Sequence, residues 1–296
     1  MAGFETQTLS FTLAGRALTL PVDRIGEGPP ALLLPALSSI STREEMRPLA
    51  TRLSTRHACL VPDWPGFGAQ PRARVPLAPD TLHAFLDALL APHGGAWQAP
   101  GPYALGIAAG HAAGYLLAAA ARHPGAFSRL VLVAPTWRGP LPTAMGEERR
   151  PLFGRLRRAV EAPFVGNLLY RINVSTPIVS RMMQAHVYAD RARVTPALLA
   201  EKRRVTHQPR ARFGTAAFVT GGLDPVRTRA EFHALFGPGL PPVTMLHPRG
   251  APRRSGAEMT ALAEAGLVRS VAIPGALAAH EECPEAVAAA ILGAAA

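Results

Sequence analysis

The segment LGIAAGHAAG, residues 105–114, decides the fold of this chain. It opens with apolar residues, passes through a run of small residues, and leads into an Ala/Leu-rich stretch that ends before Pro124. This pattern predicts a buried strand over Tyr103–Ile107, a tight turn, and a helix over His111–Arg122. A strand that turns directly into a helix is half of a parallel βαβ unit, so an α/β sheet is expected.

Strand and helix patterns alternate on both sides of this segment. Apolar or alternating runs predict seven further strands, the first two as an antiparallel hairpin: Thr8–Leu13, Arg16–Pro21, Ala31–Leu34, Ala58–Val61, Leu130–Ala134, Val243–Leu246 and Val268–Ile273. The predicted helices are one from a capping box at Ser41 and Glu44 to about Leu53, then Thr81–Leu90, Gly256–Glu264 and Pro284–Leu292.

The alternation lapses between Pro140 and about Arg229. Several helical stretches there are broken by Gly and Pro, and no strand is predicted. A helical block between two strands of a sheet is an inserted cap. The sequence therefore predicts a mostly parallel sheet flanked by helices at residues 1–139 and 230–296, with a helical cap at residues 140–229 inserted after the sixth core strand.

Composition excludes several classes of protein. A chain of 296 residues can bury the core of one α/β domain with an insertion. The net charge of +11 comes almost entirely from arginine, with Lys202 the only lysine. Together with many Ala, Gly and Pro residues, this indicates genome-wide compositional bias as much as a binding site for a polyanion. No nucleic-acid-binding motif is present, so no nucleic-acid partner is expected.

The amino-terminal sequence and the cysteines indicate the compartment. The first residues show no basic leader followed by an apolar run and a cleavage site, so they are expected to be strand rather than signal peptide. Cys59 and Cys283 are the only cysteines, and two thiols so far apart are expected to be free. We therefore expect a cytoplasmic protein.

Five motifs in order along the chain carry a family resemblance. They are Ala31–Ala36, the D-x-P-G-x-G pattern within Val61–Gly68, the strand, turn and helix of Leu105–Pro124, the strand Leu130–Pro135, and the loop Gly275–Glu285. Together they resemble the capped branch of the α/β-hydrolase superfamily over the whole chain outside the cap. The resemblance implies an α/β-hydrolase fold with an active site at the turn of the third motif.

The resemblance also implies a nucleophile on that turn. In the family a Ser, Cys or Asp occupies the centre of G-x-S-x-G, a histidine activates it, and a carboxylate orients the histidine. Three registers place Gly110, His111 or Ala108 at this position, and none offers Ser, Cys or Asp. His111 either faces the pocket as a catalytic group or contributes only its backbone N–H.

The other two members of the triad are also missing from their usual places. No carboxylate follows Val243–Leu246 until Glu258, and none follows Leu130–Ala134. Fitting the carboxy-terminal loop to the family pattern puts Leu277 at the position of the triad histidine. His280 then lies nearer the helix start, either as a displaced general base or as a helix-capping side chain.

These alignments give a set of candidate site residues. His111 and His280 are the catalytic candidates. Residues expected to contact a substrate are those of the oxyanion loop, the turn, the strand-to-cap junction and the histidine loop: Ala36, Leu37, Ser38, Gly110, Trp137 and Leu277. No cofactor and no metal are expected, because the adjacent residues His280, Glu281 and Glu282 rarely aim at one ion.

The cap sequence bears on the ligand and on function. Its apolar residues recur at helical spacing, and the inner face of a cap also roofs the pocket, so a small apolar ligand is expected. The basic stretch Arg149–Arg158 could touch an anionic membrane, although a solvated helix face is the commoner explanation.

The sequence favours an enzyme with a non-serine, non-covalent mechanism. The alternative is a catalytically inactive ligand-binding or partner protein.

Overall fold

The computed structural model describes residues 3–13, 15–69, 72, 75–91 and 102–293. Within these residues eight strands form one sheet: β1 Glu5–Leu13, β2 Arg16–Ile25, β3 Pro30–Leu34, β4 Ala58–Pro62, β5 Leu105–Ala109, β6 Leu130–Val133, β7 Val243–Pro248 and β8 Arg269–Ile273. The α-helices are α1 Arg47–Leu53, α2 Pro79–Leu90, α3 Ala112–Arg122, α4 Pro140–Met145, α5 Arg150–Glu161, α6 Val165–Asn173, α7 Thr176–Met182, α8 Pro196–Thr206, α9 Ala211–Val219, α10 Arg229–Ala234, α11 Arg253–Glu264, α12 Ala279–Glu282 and α13 Pro284–Gly293.

The strands lie in the order β1-β2-β4-β3-β5-β6-β7-β8. β1 and β2 form an antiparallel hairpin, β2 is antiparallel to β4, and every later pair is parallel. The predicted α/β fold class is therefore confirmed. Parallel strands place their carboxyl ends at one edge of the sheet, where ligands bind in open α/β folds.

Helices cover both faces of the sheet, because successive side chains of a strand point to opposite faces. In β3, Leu32 and Leu34 pack into an apolar cluster with α2, α3 and α11. Ala31 and Leu33 pack into a second cluster with α1 and α13 on the other face. All four side chains are fully buried, which explains the continuous apolar run of this strand.

The segment between β6 and β7, called the helical insertion below, carries α4 to α10 and no strand, and all of it is described. An apolar cluster joins it to the sheet. Ile40, from the loop after β3, and Ala278, from the loop after β8, pack with Tyr170, Met183 and Tyr188 of the insertion. The insertion therefore lies against the loops that follow β3 and β8. None of the helices in the described ranges is long and apolar enough to cross a membrane.

Two local predictions were wrong in detail. β5 begins at Leu105 rather than Tyr103, which forms only an isolated bridge with Phe127. The cap of the next helical segment is Thr42, not Ser41: its hydroxyl accepts the N–H of Glu44 and opens a 3₁₀ turn, Arg43–Met46, that leads into α1. Pro48 stands in the first turn of α1, where a proline loses no hydrogen bond.

Candidate active site

β5 ends in a tight turn with Gly110 at its apex. The φ angle of Gly110 is +52°, in the left-handed region that favours glycine because it has no Cβ. Its N–H donates to the carbonyl of Val133 at 2.9 Å, and its carbonyl accepts the N–H of Thr136 at 3.1 Å. The predicted strand–turn–helix unit is present, and its apex residue has no side chain.

The three residues considered for the apex differ in backbone geometry. Ala108 lies inside β5, fully buried and paired with Leu34 and Leu132. His111 has a helical φ of −68° directly before α3. Gly110 is the one of the three with a positive φ.

The apex faces the loop after β3. A Cβ atom built on Gly110 would lie 3.6 Å from the Cβ of Ala36 and 3.9 Å from the Oγ1 of Thr136, both ordinary contacts. All three residues are half-buried. A Cβ atom would therefore fit at position 110, although glycine has none.

The loop after β3 is bound to a carboxylate. The N–H of Ala36 donates to Oε1 of Glu45 at 2.7 Å. Leu37 is fully buried in the core, and the half-buried Ser38 hydroxyl lies 2.7 Å from the hydroxyl of Ser41. The family resemblance implies that this loop binds an oxyanion. In this structure the N–H of Ala36 binds the carboxylate of Glu45 instead.

A buried ion network holds the turn that carries Glu45. The backbone N–H of Arg43 and its guanidinium Nη1 each donate to Asp63 at 2.8 Å, and its Nε donates to Asp23 at 3.0 Å. Asp23 also accepts from Nε of Arg47 at 2.7 Å. Asp63 opens the D-x-P-G-x-G segment, so this motif fixes the position of Glu45.

His280, at the start of α12, approaches Glu45 in the interior. It is 1% exposed, and its Nε2 lies 3.2 Å from Oε1 of Glu45, an ion-pair distance without the alignment of a hydrogen bond. Its Nδ1 has no hydrogen-bond partner among the described residues. Glu45 therefore brings His280 next to Ala36, and Ala36 lies beside the apex at Gly110.

The helical insertion adds a positive charge. Lys202 of α8 is 1% exposed, and its Nζ lies 3.4 Å from Oε1 of Glu281. The other oxygen of Glu281 accepts the hydroxyl of Tyr188 at 2.6 Å. These five residues are called the buried polar cluster below: Glu45, Tyr188, Lys202, His280 and Glu281.

Glu45 and Lys202 of this cluster are ionised at neutral pH. Burial alone would raise the pKa of Glu45, because the carboxylate loses its water. His280 and the charge of Lys202 outweigh burial, so the pKa of Glu45 is held below its ordinary value. Burial lowers the pKa of Lys202, but Glu281 and Glu45 together raise it above its ordinary value.

His111 has different neighbours. Its Nε2 lies 2.9 Å from the carbonyl of Leu223 and 3.5 Å from Oδ1 of Asp224, in the segment between α9 and α10. A carbonyl only accepts, so Nε2 carries the proton. Burial lowers the pKa of His111, and the charge of Asp224 offsets this only in part. The imidazole is therefore neutral and fixed by its backbone contact.

The buried His111 predicts a loss of stability in mild acid. Its pKa in the folded chain lies below the unfolded value of about 6.5, so its contribution is complete above that pH and is lost as the pH falls. If only the unfolded chain binds this proton, the free energy of unfolding falls by at most about 2 kcal/mol between pH 6.5 and pH 5. Urea unfolding of the native chain and His111→Gln at pH 7.5 and 5 should show a shallower pH dependence in the variant. The exposed His186→Gln should match the native chain.

The remaining candidate residues pack in the core. Trp137 is 2% exposed; its ring stacks on Phe232, and its Nε1 donates to Glu258 at 3.1 Å. A cavity beside it has a volume of about 10 Å³, enough for about one water molecule. Leu277 is half-buried and packs against the main apolar cluster.

Sequence reasoning missed most of the buried polar cluster. His280 is a candidate from the sequence, but Glu45 and Lys202 each lie in a charged run that is typical of a solvated helix face. Their helical register is the available signal. Glu45 is spaced four and eight residues from the buried Leu49 and Leu53, and Lys202 three residues from the buried Val205.

An eight-stranded sheet of this order, with a strand–turn–helix apex beneath a helical insertion, defines the α/β-hydrolase fold. The sequence profile of the Alpha/beta hydrolase family matches residues 31–290. The chain therefore belongs to the α/β hydrolase family. No curated protein sequence is similar to the chain.

Solved structures with the same fold include several hydrolases. An esterase from Thermogutta terrifontis is 19% identical and has a TM-score of 0.69, with 98% of each chain covered. A haloalkane dehalogenase variant from Bradyrhizobium elkanii is 17% identical and has a TM-score of 0.67, with 98% of this chain and 96% of that chain covered. The epoxide hydrolase CorEH is 15% identical and has a TM-score of 0.67, with 98% of each chain covered. At these identities the likeness shows the shared fold.

Proposed function

We propose that the chain is an enzyme that acts on a small, apolar molecule by proton transfer, without a serine nucleophile and without a covalent intermediate. His280 is the general base, Glu45 orients it, and Lys202 keeps Glu45 ionised. The observation that carries the proposal is the buried pair of His280 and Glu45, 3.2 Å apart, beside the N–H of Ala36.

The chemistry of the imidazole supports this role. When Nε2 carries the proton that faces Glu45, Nδ1 keeps a lone pair that can accept a proton from water or substrate. The carboxylate then stabilises the imidazolium, as the acid of a catalytic triad does. Nδ1 has no hydrogen-bond partner among the described residues, which leaves it available for this step.

The apex of the turn supports the absence of a covalent step. A covalent mechanism needs a side chain that attacks the substrate and is later released. Gly110 occupies the positive-φ position beside Ala36 and has no such group. His111, the next residue, is engaged with the carbonyl of Leu223.

The helical insertion supports an apolar substrate. We take it to be the cap over the site, with the limits predicted at residues 140–229. Its inner side meets the loops after β3 and β8 through apolar side chains that include Tyr170, Val179 and Met183. A substrate entering beneath the cap would replace these contacts, and an apolar molecule does so at the lowest desolvation cost.

Turnover on a panel of esters, epoxides and lactones tests the proposal. His280→Gln should lower kcat by about 100-fold or more, the usual share of a positioned general base. Glu45→Gln keeps an acceptor for the Ala36 N–H but loses the charge, so its activity should fall and its pH profile should shift. His186→Gln, an exposed histidine of the insertion, is the matched control and should keep full activity. Equal turnover by His280→Gln and the native chain would contradict the assignment.

The glycine at the apex also favours a second candidate, a catalytically inactive protein that binds a small apolar ligand or a partner. This candidate keeps the fold and the cap and uses neither histidine for chemistry. It predicts that an apolar ligand raises the melting temperature with no product detectable by mass spectrometry. Detection of product that depends on His280 rules it out.

A further inference from the structure

Helix α6 has a well-anchored inner side. A Cβ built on Gly166 would lie 2.1 Å from the carbonyl oxygen of Val160, so the start of α6 packs directly against the backbone of α5. Four residues later, the hydroxyl of Tyr170 donates to the carbonyl of Thr206 at 2.7 Å. Both Gly166 and Tyr170 are buried, which fixes the side of α6 that faces the molecule.

The outer side of α6 is apolar and exposed. Phe164, just before the helix, Leu168 and Ile172 follow one another at four-residue spacing and are 90%, 63% and 55% exposed. Leu168 and Ile172 lie one turn apart on the same side of α6, and Phe164 directly precedes the helix, so we group these exposed side chains as an apolar stripe. Val165 and Leu169 widen it, with exposures of 62% and 39%. A continuous apolar stripe on a protein surface marks an interaction site.

Exposed arginines lie on α6 and on the neighbouring helix α5. Residues 150–182 contain six arginines and a single acidic residue, Glu161. Arg155 and Arg158 of α5 and Arg171 of α6 are exposed, and α5 packs against α6. Helix α5 adds two more exposed apolar residues, Leu152 and Leu156, at 52% and 42%. The apolar stripe of α6 with Arg155, Arg158 and Arg171 is called the docking surface below.

The chemistry of the docking surface selects its occupant. A second copy of the chain would bring two patches of the same positive charge together across a symmetric interface, which is unfavourable. An anionic lipid bilayer complements both features of this surface, because its phosphates attract the arginines and its acyl region accepts the apolar side chains. Phe164 has a φ of +56°, uncommon for a bulky residue, and its ring projects into solvent. We infer that the helical insertion docks on the surface of an anionic lipid bilayer through the docking surface.

Co-sedimentation with lipid vesicles tests the inference. The chain should bind vesicles that contain phosphatidylglycerol at least about ten-fold more tightly than vesicles of phosphatidylcholine alone, and salt should weaken this binding. Arg155→Gln with Arg158→Gln should lower the affinity about 30-fold, the effect of two charges near an anionic surface. Phe164→Asn with Leu168→Asn should abolish binding, because it removes the two most exposed apolar side chains of the stripe.

A matched control removes two arginines from the core surface. Arg56 and Arg269 are exposed and lie outside the helical insertion, so Arg56→Gln with Arg269→Gln should leave vesicle binding unchanged. All variants are first compared with the native chain by thermal melting. Equal binding to both vesicle types, or an equal loss in the control, would overturn the inference. So would a self-association that disappears in the Phe164 and Leu168 variant while vesicles remain unbound.

Discussion

Arg43→Ala should lower the free energy of unfolding by about 3–5 kcal/mol, the cost of breaking a buried ion pair from one side. The Arg43 side chain is 6% exposed and links two carboxylates that are almost fully buried, Asp23 and Asp63. Asp23 keeps Arg47 in the variant, whereas Asp63 keeps the backbone N–H of residue 43 and the charge of Arg72, with which it makes no hydrogen bond. The poorly compensated charge that Asp63 leaves in the interior therefore causes most of the loss.

Urea unfolding followed by circular dichroism measures this effect. Arg122→Ala removes a half-exposed partner of Asp87 and is the matched control, with an expected loss below about 1 kcal/mol. Arg43 also places the turn that carries Glu45, so any catalytic activity should fall together with stability. Similar losses in the two variants would show that the network around Asp63 is not strongly coupled.

Lys202→Met should cost about 2–4 kcal/mol at neutral pH, somewhat less than a fully buried pair because Glu281 is 19% exposed. The variant leaves Glu45 and Glu281 in the interior without the cation that favours their ionised forms. The pKa of Glu45 in the native chain lies below its ordinary value, so the benefit that Lys202 provides to this carboxylate is complete at neutral pH and is lost as the pH falls below about 4.5. The deficit should therefore shrink between pH 7.5 and pH 3.5.

The pH dependence separates charge from packing. A deficit that stays constant across this range would mean that the methionine side chain simply fits badly. Lys202→Arg keeps the positive charge and should retain most of the stability at both pH values. In the proposed mechanism, Lys202→Met should also move the pH profile of catalysis, because Glu45 loses a group that lowers its pKa.

The fold could be predicted from the sequence because its strands are buried on both faces. β3 and β6 are read directly as apolar runs, and the small residues around Gly110 mark the turn that joins β5 to α3. The ends of the elements are less well specified. Tyr103 looks like strand because it is apolar and precedes an apolar run, but its backbone makes only one isolated bridge.

The site could be predicted only in part, because charge does not reveal burial. Glu45 follows Arg43 and Glu44 in a stretch that is typical of a solvated helix start, yet it is 5% exposed. Its contact with His280 joins residues near opposite ends of the chain, and no local pattern specifies such a pair. His111 is a candidate from its place beside the apex, but its partner Asp224 lies more than 100 residues later, between α9 and α10.

Because Lys202 is buried, its chemical modification can report when the helical insertion opens. Apart from the amino terminus, this side chain is the only primary amine, and its raised pKa keeps it protonated and unreactive toward acylating reagents. Acylation at residue 202 requires the insertion to separate from α12, which carries Glu281. Mass spectrometry of the intact chain, sampled over time with a reagent in excess, would therefore record the opening rate of this contact without any introduced label.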